Sequence, residues 1–358
     1  MSLSRRDYIL KLIVEHFIKD ATPVGSQTLI EEYGLDVSSA TIRSEMNALE
    51  KDGFLEKTHT SSGRVPSSKG YRYYIDYLRE ETVDSKIKNQ IATLLNEKTL
   101  TADQVITQSC QILSHMTNLA TVVLGPNAED EHLISVQVIP ISTNTATVVF
   151  VTDRGYVENK TFIFDDDVEL NDIESCVKLL NSRLVGTPVS GLIEKMEAMK
   201  PLIQDYVTSN DVIYQVFMEA FLKFARDRVS LFGKNELLNQ PDLTSDADKL
   251  KRLIKLFNSP SEMRQMLTDD SDKDLNVNIG NEDDEYGDMS IITSKIKMPG
   301  QDEGTIALVG PKRMDYQKVI SALEYVASEL EKYFAKERNQ NGRERKGTNW
   351  DKRWKIIS

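Results

Sequence analysis

The sequence predicts a multidomain α+β fold. Its 358 residues exceed one typical domain and suggest two or three. Hydrophobic residues make up 40% and charged residues 28%, enough for a sizeable core and too much for a disordered or low-complexity chain. Blocks with the 3.6-residue period of helices alternate with short runs rich in Val, Ile and Thr that read as strands.

Residues 4–20 predict an amphipathic helix, with Ile9, Leu12, Ile13, His16 and Phe17 on one face. Thr22-Pro23-Val24-Gly25 breaks it, and Ser26 opens a short helix carrying Leu29, Ile30 and Tyr33, closed by Gly34. Ser38 or Ser39 caps a third helix that runs to about Gly53. Strands are expected around 54–59 and 63–66, joined by Thr60-Ser61-Ser62-Gly63, before a helix near 68–81. The pattern is helical from about 85 to 120, then strand-like at 120–124, 133–140, 146–152 and 155–164. Helix returns at 171–183 and persists, almost strand-free, from about 190 to 268. Strands follow at 275–279, 289–297 and 304–309, and a closing helix at 315–336. This order suggests one α+β domain interrupted by a helical insertion. Three consecutive domains are the alternative. Residues 337–358 read as a basic, frayed tail bearing Trp350 and Trp354.

Net charge is −12, which by itself argues against a polyanionic partner. The distribution reverses that argument. Residues 1–79 hold eleven basic and eleven acidic side chains, and residues 57–75 contain Lys57, Arg64, Lys69 and Arg72 without a single acid. Residues 269–288 are the opposite extreme, with nine acids against Lys273 alone. A neutral head with a basic patch on an acidic body favours oriented docking of a polyanion. The bland reading is a chance cluster on a solvated face.

Three short helices and a two-stranded ribbon within about 70 residues form the plan of a winged helix-turn-helix, whose third helix enters the DNA major groove. At about 100° per residue, Ile42, Met46 and Leu49 share the core face of that helix. Ala40, Ser44, Asn47 and Lys51 then fall opposite, flanked by Thr41 and Arg43, with no acid among them. Arg suits guanine, Asn suits adenine, and the Ala and Thr methyl groups suit the thymine methyl. Lys57, Thr60, Ser61, Ser62 and Arg64 on the hairpin, with Lys69 and Arg72 on the next helix, are of the types that hold phosphates. The competing reading of such a unit is a protein-interaction module.

The runs SSATIRSEMNALEKDG at 38–53 and TSSGRVPSSKGYRYYID at 60–76 resemble the HrcA family of bacterial heat-inducible transcription repressors. TVVLGP at 121–126 and the run at 290–330 extend the resemblance over nearly the whole chain. It implies a winged-helix domain at 1–82, a helical linker at 83–104, a GAF-like α/β domain at 105–190 and 270–336, and a dimerisation segment inserted at 191–269. It also implies a homodimer on an inverted-repeat operator (CIRCE) ahead of chaperone operons of the grpE-dnaK-dnaJ and groE type, with activity dependent on the GroE chaperonin. Ser39, Thr41, Arg43 and Asn47 match the family's recognition helix, and Thr60, Gly63, Arg64 and Gly70 its wing. Within the inserted segment, Phe217, Phe221, Leu222, Phe224, Leu253 and Phe257 are the expected dimer contacts; packing on the parent domain is their bland alternative.

Rival functions find little support. Four widely spaced histidines make no metal pair, and no phosphate-binding glycine loop is present. Asp165-Asp166-Asp167 reads as a solvated turn, and Cys110 and Cys176 as small core residues. No catalytic residue, metal or cofactor is expected. A regulator whose GAF-like domain senses a small molecule is the closer alternative. No apolar run reaches the roughly 18 residues of a membrane span, and charges interrupt the N-terminal helix, so a soluble cytoplasmic protein is expected.

Overall fold

A computed structural model describes residues 3–57, 63–97, 99–125, 131–153, 157–164, 170–206, 214–215, 217–219, 221, 229–268, 273–280, 284, 286–297 and 303–347. The chain is mixed helix and sheet, as the α+β expectation requires.

Helices α1 (Arg5–Asp20), α2 (Ser26–Tyr33) and α3 (Ser39–Lys51) form the head. The Ser4 side chain caps α1 by accepting from the Asp7 amide, and Gly34 ends α2 in the left-handed conformation. Strands β1 (Leu55–Lys57) and β2 (Arg64–Pro66) pair antiparallel, with Glu56 opposite Val65. Helix α4 (Ser68–Tyr73) continues into a π turn at Tyr74–Leu78. Helices α5 (Ser85–Leu95) and α6 (Ala102–Thr117) lead to β3 (Ala120–Leu124).

The chain then leaves the body. Strands β4 (Leu133–Ser142), β5 (Thr145–Thr152) and β6 (Val157–Ile163) make an antiparallel meander that pairs with no other described strand. Helices α7 (Leu170–Leu184) and α8 (Leu192–Tyr206), with Phe217 and Phe221, cover one face of it and close a separate core around Val148, Phe150 and Leu180. The chain returns at β7 (Val229–Phe232), where Val229 lies opposite Leu124 across the ladder. Departure and return are therefore neighbours in one sheet.

Short helices α9 (Lys234–Leu238), α10 (Pro241–Thr244), α11 (Ala247–Phe257) and α12 (Pro260–Leu267) precede β8 (Leu275–Ile279), β9 (Met289–Lys297) and β10 (Glu303–Pro311). The body sheet is antiparallel in the order β7-β3-β10-β9-β8. Ala120, Val122, Ile291 and Val309 on one face meet Leu243, Leu253, Leu256 and Met263 of α10–α12. Val123, Ile292, Ile306 and Leu308 on the other meet α6 and the long α13 (Tyr316–Gly347). That second core runs on into the head without a break, through Tyr71 and Tyr74 to Ile42, Met46 and Ile13.

Three expectations are corrected. The inserted unit occupies 131–221 and carries its own sheet, whereas 191–269 was expected; residues 234–267 cover the body sheet instead. Alternation of apolar residues marks a strand but does not say which sheet it joins, and helices of two units fall in one uninterrupted helical run. Second, that run contains β7, whose four residues are too few for a period to register. Third, the closing helix continues to Gly347 rather than ending at 336, since residues 337–341 hold no Gly or Pro to stop it.

Candidate nucleic-acid interface

Helix α3 starts where the Ser38 hydroxyl accepts from the Thr41 amide at 3.1 Å. Ile42, Met46 and Leu49 are buried, which turns Ala40, Arg43, Ser44, Asn47 and Lys51 to solvent; Ser39 and Thr41 are half-buried. The exposed set contains no acid, and Glu45 and Glu50 lie half-buried at its margins. Serine contacts fix the helix on α2: Ser26 Oγ lies 2.9 Å from Ser39 Oγ and accepts from Arg43 Nε at 3.2 Å. Ser26 was not foreseen as part of the site, because these contacts span 13 and 17 residues and leave no local signal.

The basic residues divide. Lys57 is exposed at the hairpin, 3.2 Å from Glu50. Arg64 is only 7% exposed, with Nε donating to Glu50 at 2.8 Å and Nη2 to Asn47 Oδ1 at 2.9 Å. It clamps β2 to α3 rather than meeting a phosphate. Its backbone is bonded in both directions to Val24 at 2.9 Å. Burial pushes the Glu50 carboxyl up, but Lys57 and Arg64 outweigh it and hold the group below its ordinary range. Lys69 Nζ donates to Asp52 O at 2.8 Å and lies over the Phe54 ring, capping the end of α3. Arg72 Nη2 donates to Val277 O in the body, so it too is diverted from the phosphate role expected of it. Thr60, Ser61 and Ser62 fall outside the described residues.

Two glycines of the hairpin motif are explained by close approach. A Cβ on Gly63 would lie 2.8 Å from Pro23 Cβ, and one on Gly70 would lie 2.1 Å from Phe54 O. Without them the hairpin could not seat against α1, α3 and the start of α4.

Four of the six expected dimer residues pack within the chain itself. Phe217 and Phe221 are buried in the inserted unit, with Phe221 at 4.7 Å from the Phe150 ring. Leu253 is buried in the body and Phe257 is half-buried there; Leu222 and Phe224 lie outside the described residues. Apolar side chains in a helical run register a buried face, and sequence does not say against what. The inserted sheet instead turns Ile139, Val157 and Ile163 to solvent on its uncovered face, 51%, 52% and 79% exposed.

Among the described residues no group of three His, Cys, Asp or Glu could hold a metal. Burial pushes the Cys176 thiol up to about 12 and that of Cys110 higher still, which suppresses thiolate chemistry. Asp165–Asp167 lie outside the described residues. An apolar pocket of about 10 Å³ lies between the body sheet and α11–α12, lined by Val122, Leu256 and Met263, and a wider, more open cleft of about 270 Å³ lined by Arg264, Lys273, Asn276 and Thr305 lies against β3, β9 and β10. No described helix is long and apolar enough to cross a membrane.

Residues 103–320 match the family model for the HrcA protein C-terminal domain. The chain belongs to the HrcA family. It is 37% identical over 336 residues to the heat-inducible transcription repressor HrcA of Halalkalibacterium halodurans, covering 93% of this chain and 97% of that one. The HrcA proteins of Bacillus pumilus and Lysinibacillus sphaericus are 36% and 34% identical, over 92% and 95% of this chain and 97% and 100% of theirs. A crystal structure of a hypothetical protein superposes with a TM-score of 0.63 at 22% identity, covering 93% of this chain and 99% of that one. HrcA relatives thus match this chain along nearly its full length, head and inserted unit included.

Proposed function

We propose that this protein represses heat-shock genes by placing α3 in the major groove of an inverted-repeat operator of the CIRCE type, as a homodimer. The head is read as a winged helix-turn-helix and the body as GAF-like. The exposed face of α3 carries the reading: Ala40, Arg43, Ser44, Asn47 and Lys51 stand outward, acid-free, on a helix whose opposite side is locked into the core. Arg43 is the candidate for guanine and Asn47, oriented by Arg64, for adenine. Lys51 and Lys57 are the cations best placed for phosphates, and Thr60, Ser61 and Ser62 are of residue types that would add phosphate contacts.

An inverted repeat calls for two heads related by a two-fold axis. The uncovered face of the inserted sheet supports a second copy as its occupant. Its exposed Ile139, Val157 and Ile163 are apolar, and the hydroxyls of Thr147 and Thr161 bond to each other at 2.7 Å, which reduces their need for water. Under the same reading the repressor acts in the cytoplasm, needs the GroE chaperonin to reach its DNA-competent state, and loses it when heat-unfolded proteins occupy the chaperonin.

The test is an electrophoretic shift on an inverted-repeat operator, with and without GroE, comparing wild type with Arg43→Ala. Binding strengthened by GroE and weakened by the substitution supports the reading; no shift on any palindromic promoter element, with or without GroE, ends it.

A further inference from the structure

The head does not hang on a free linker. Helix α4 lies across the outer edge of β8, the last strand of the body sheet. There Ser68 Oγ donates to Gly280 O at 3.2 Å, and Arg72 Nη2 donates to Val277 O. At a second point Arg313, between β10 and α13, donates through Nη1 to Ile18 O at 2.6 Å, in the last turn of α1. Its Nε donates to Asp242 of α10 at 2.9 Å, so one guanidinium ties the last turn of α1 to α10. Between these points the buried rings of Tyr71 and Tyr316 pack at 5.3 Å.

We propose that Arg72 and Arg313 are positioning residues that fix the angle of the DNA-binding head on the body, and with it the separation of the two heads in the dimer. The proposal rests on the operator-bound dimer described above. A head on a slack tether would accept many half-site separations at similar affinity. Two heads each held by these bonds, and by the Arg79–Glu324 pair and the Gln317 contacts of Tyr74 and Glu80 along α13, present their α3 helices at one separation, and B-DNA offers matching major grooves only once per helical turn. Guanidinium donors suit the task, because a planar fork aimed at a backbone carbonyl holds direction as well as distance. Arg72 cannot bond Val277 O and a phosphate with the same donor, so its place in the sequence beside the wing reflects docking and not DNA contact.

The test uses the full-length dimer and a set of palindromes whose half-sites are moved apart one base pair at a time, together with an isolated half-site. Wild type is expected to prefer one separation by about tenfold or more. Arg72→Ala and Arg313→Ala should lose most of that preference, while half-site affinity and the salt dependence of binding stay at wild-type values. Ser68→Ala, which removes a single edge hydrogen bond, gives the same trend in milder form should the arginine variants fail to fold. If Arg72→Ala keeps the spacing preference but lowers the salt slope by about 1, Arg72 is a phosphate contact and the proposal is wrong. Spacing indifference in the wild type also overturns it. Failure of the wild type to bind any palindrome instead defeats the operator reading, which keeps the two failures apart.

Discussion

Arg64 shows how a cation beside the proposed DNA-contacting helix can serve the protein rather than the ligand. Its guanidinium joins Glu50 and Asn47 in a space that leaves it 7% exposed. Arg64→Ala is expected to destabilise the head by about 2 kcal/mol, the scale of charge-assisted hydrogen bonds left unmade, measured by chemical denaturation. It should also weaken operator binding through a misaligned Asn47. Arg43→Ala leaves the fold intact and costs about 1–3 kcal/mol of binding, concentrated at one base position in a substitution series of the operator. Gly70→Ala forces a methyl against Phe54 O and should cost about 1–3 kcal/mol in a thermal melt. The Glu50 carboxyl is held below the 4.5 of its ordinary state, so its pairing adds stability above that pH and loses it as pH falls through the lowered value. Glu50→Gln should therefore narrow the gap in melting temperature between pH 6 and pH 3.5.

At the scale of elements, the inserted unit is separable because its two ends meet. Leu124 and Val229 are cross-strand neighbours, so a short turn in place of residues 125–228 leaves β3 and β7 paired. That deletion is expected to give a folded monomer by light scattering with cooperative melting retained. Deleting 195–268 would instead strip α9–α12 from the sheet and expose Val122, Ile291 and Val309. Ile163→Asp and Ile139→Asp together place charge on the uncovered sheet face and should dissociate the proposed dimer without lowering the melting temperature of the inserted unit. A dimer that survives both substitutions in sedimentation would move the interface elsewhere.

The whole molecule has two kinds of seam. One core runs from Ile9 in the head to Phe334 in α13, whereas the inserted unit closes its own core around Phe150 and Phe221. Head and body are expected to melt in one calorimetric transition and the inserted unit in another. A first transition confined to the head would contradict the shared core.

Residue by residue, the chain's own pattern determined the three head helices, the hairpin after them, and which side of residues 39–51 faces outward. These follow from 3.6-residue periodicity, serine caps and turn glycines, all of which act within a few positions of each other. Tertiary structure alone decided that Arg64 and Arg72 face inward, that Phe217 and Phe221 are core, and that strands 133–163 build a sheet apart from the body. Those outcomes depend on partners 14 to more than 200 residues away, such as Glu50 for Arg64 and Val277 for Arg72. A side chain's charge and period are local properties, but whether it meets solvent, DNA or a distant carbonyl is settled by how the layers stack.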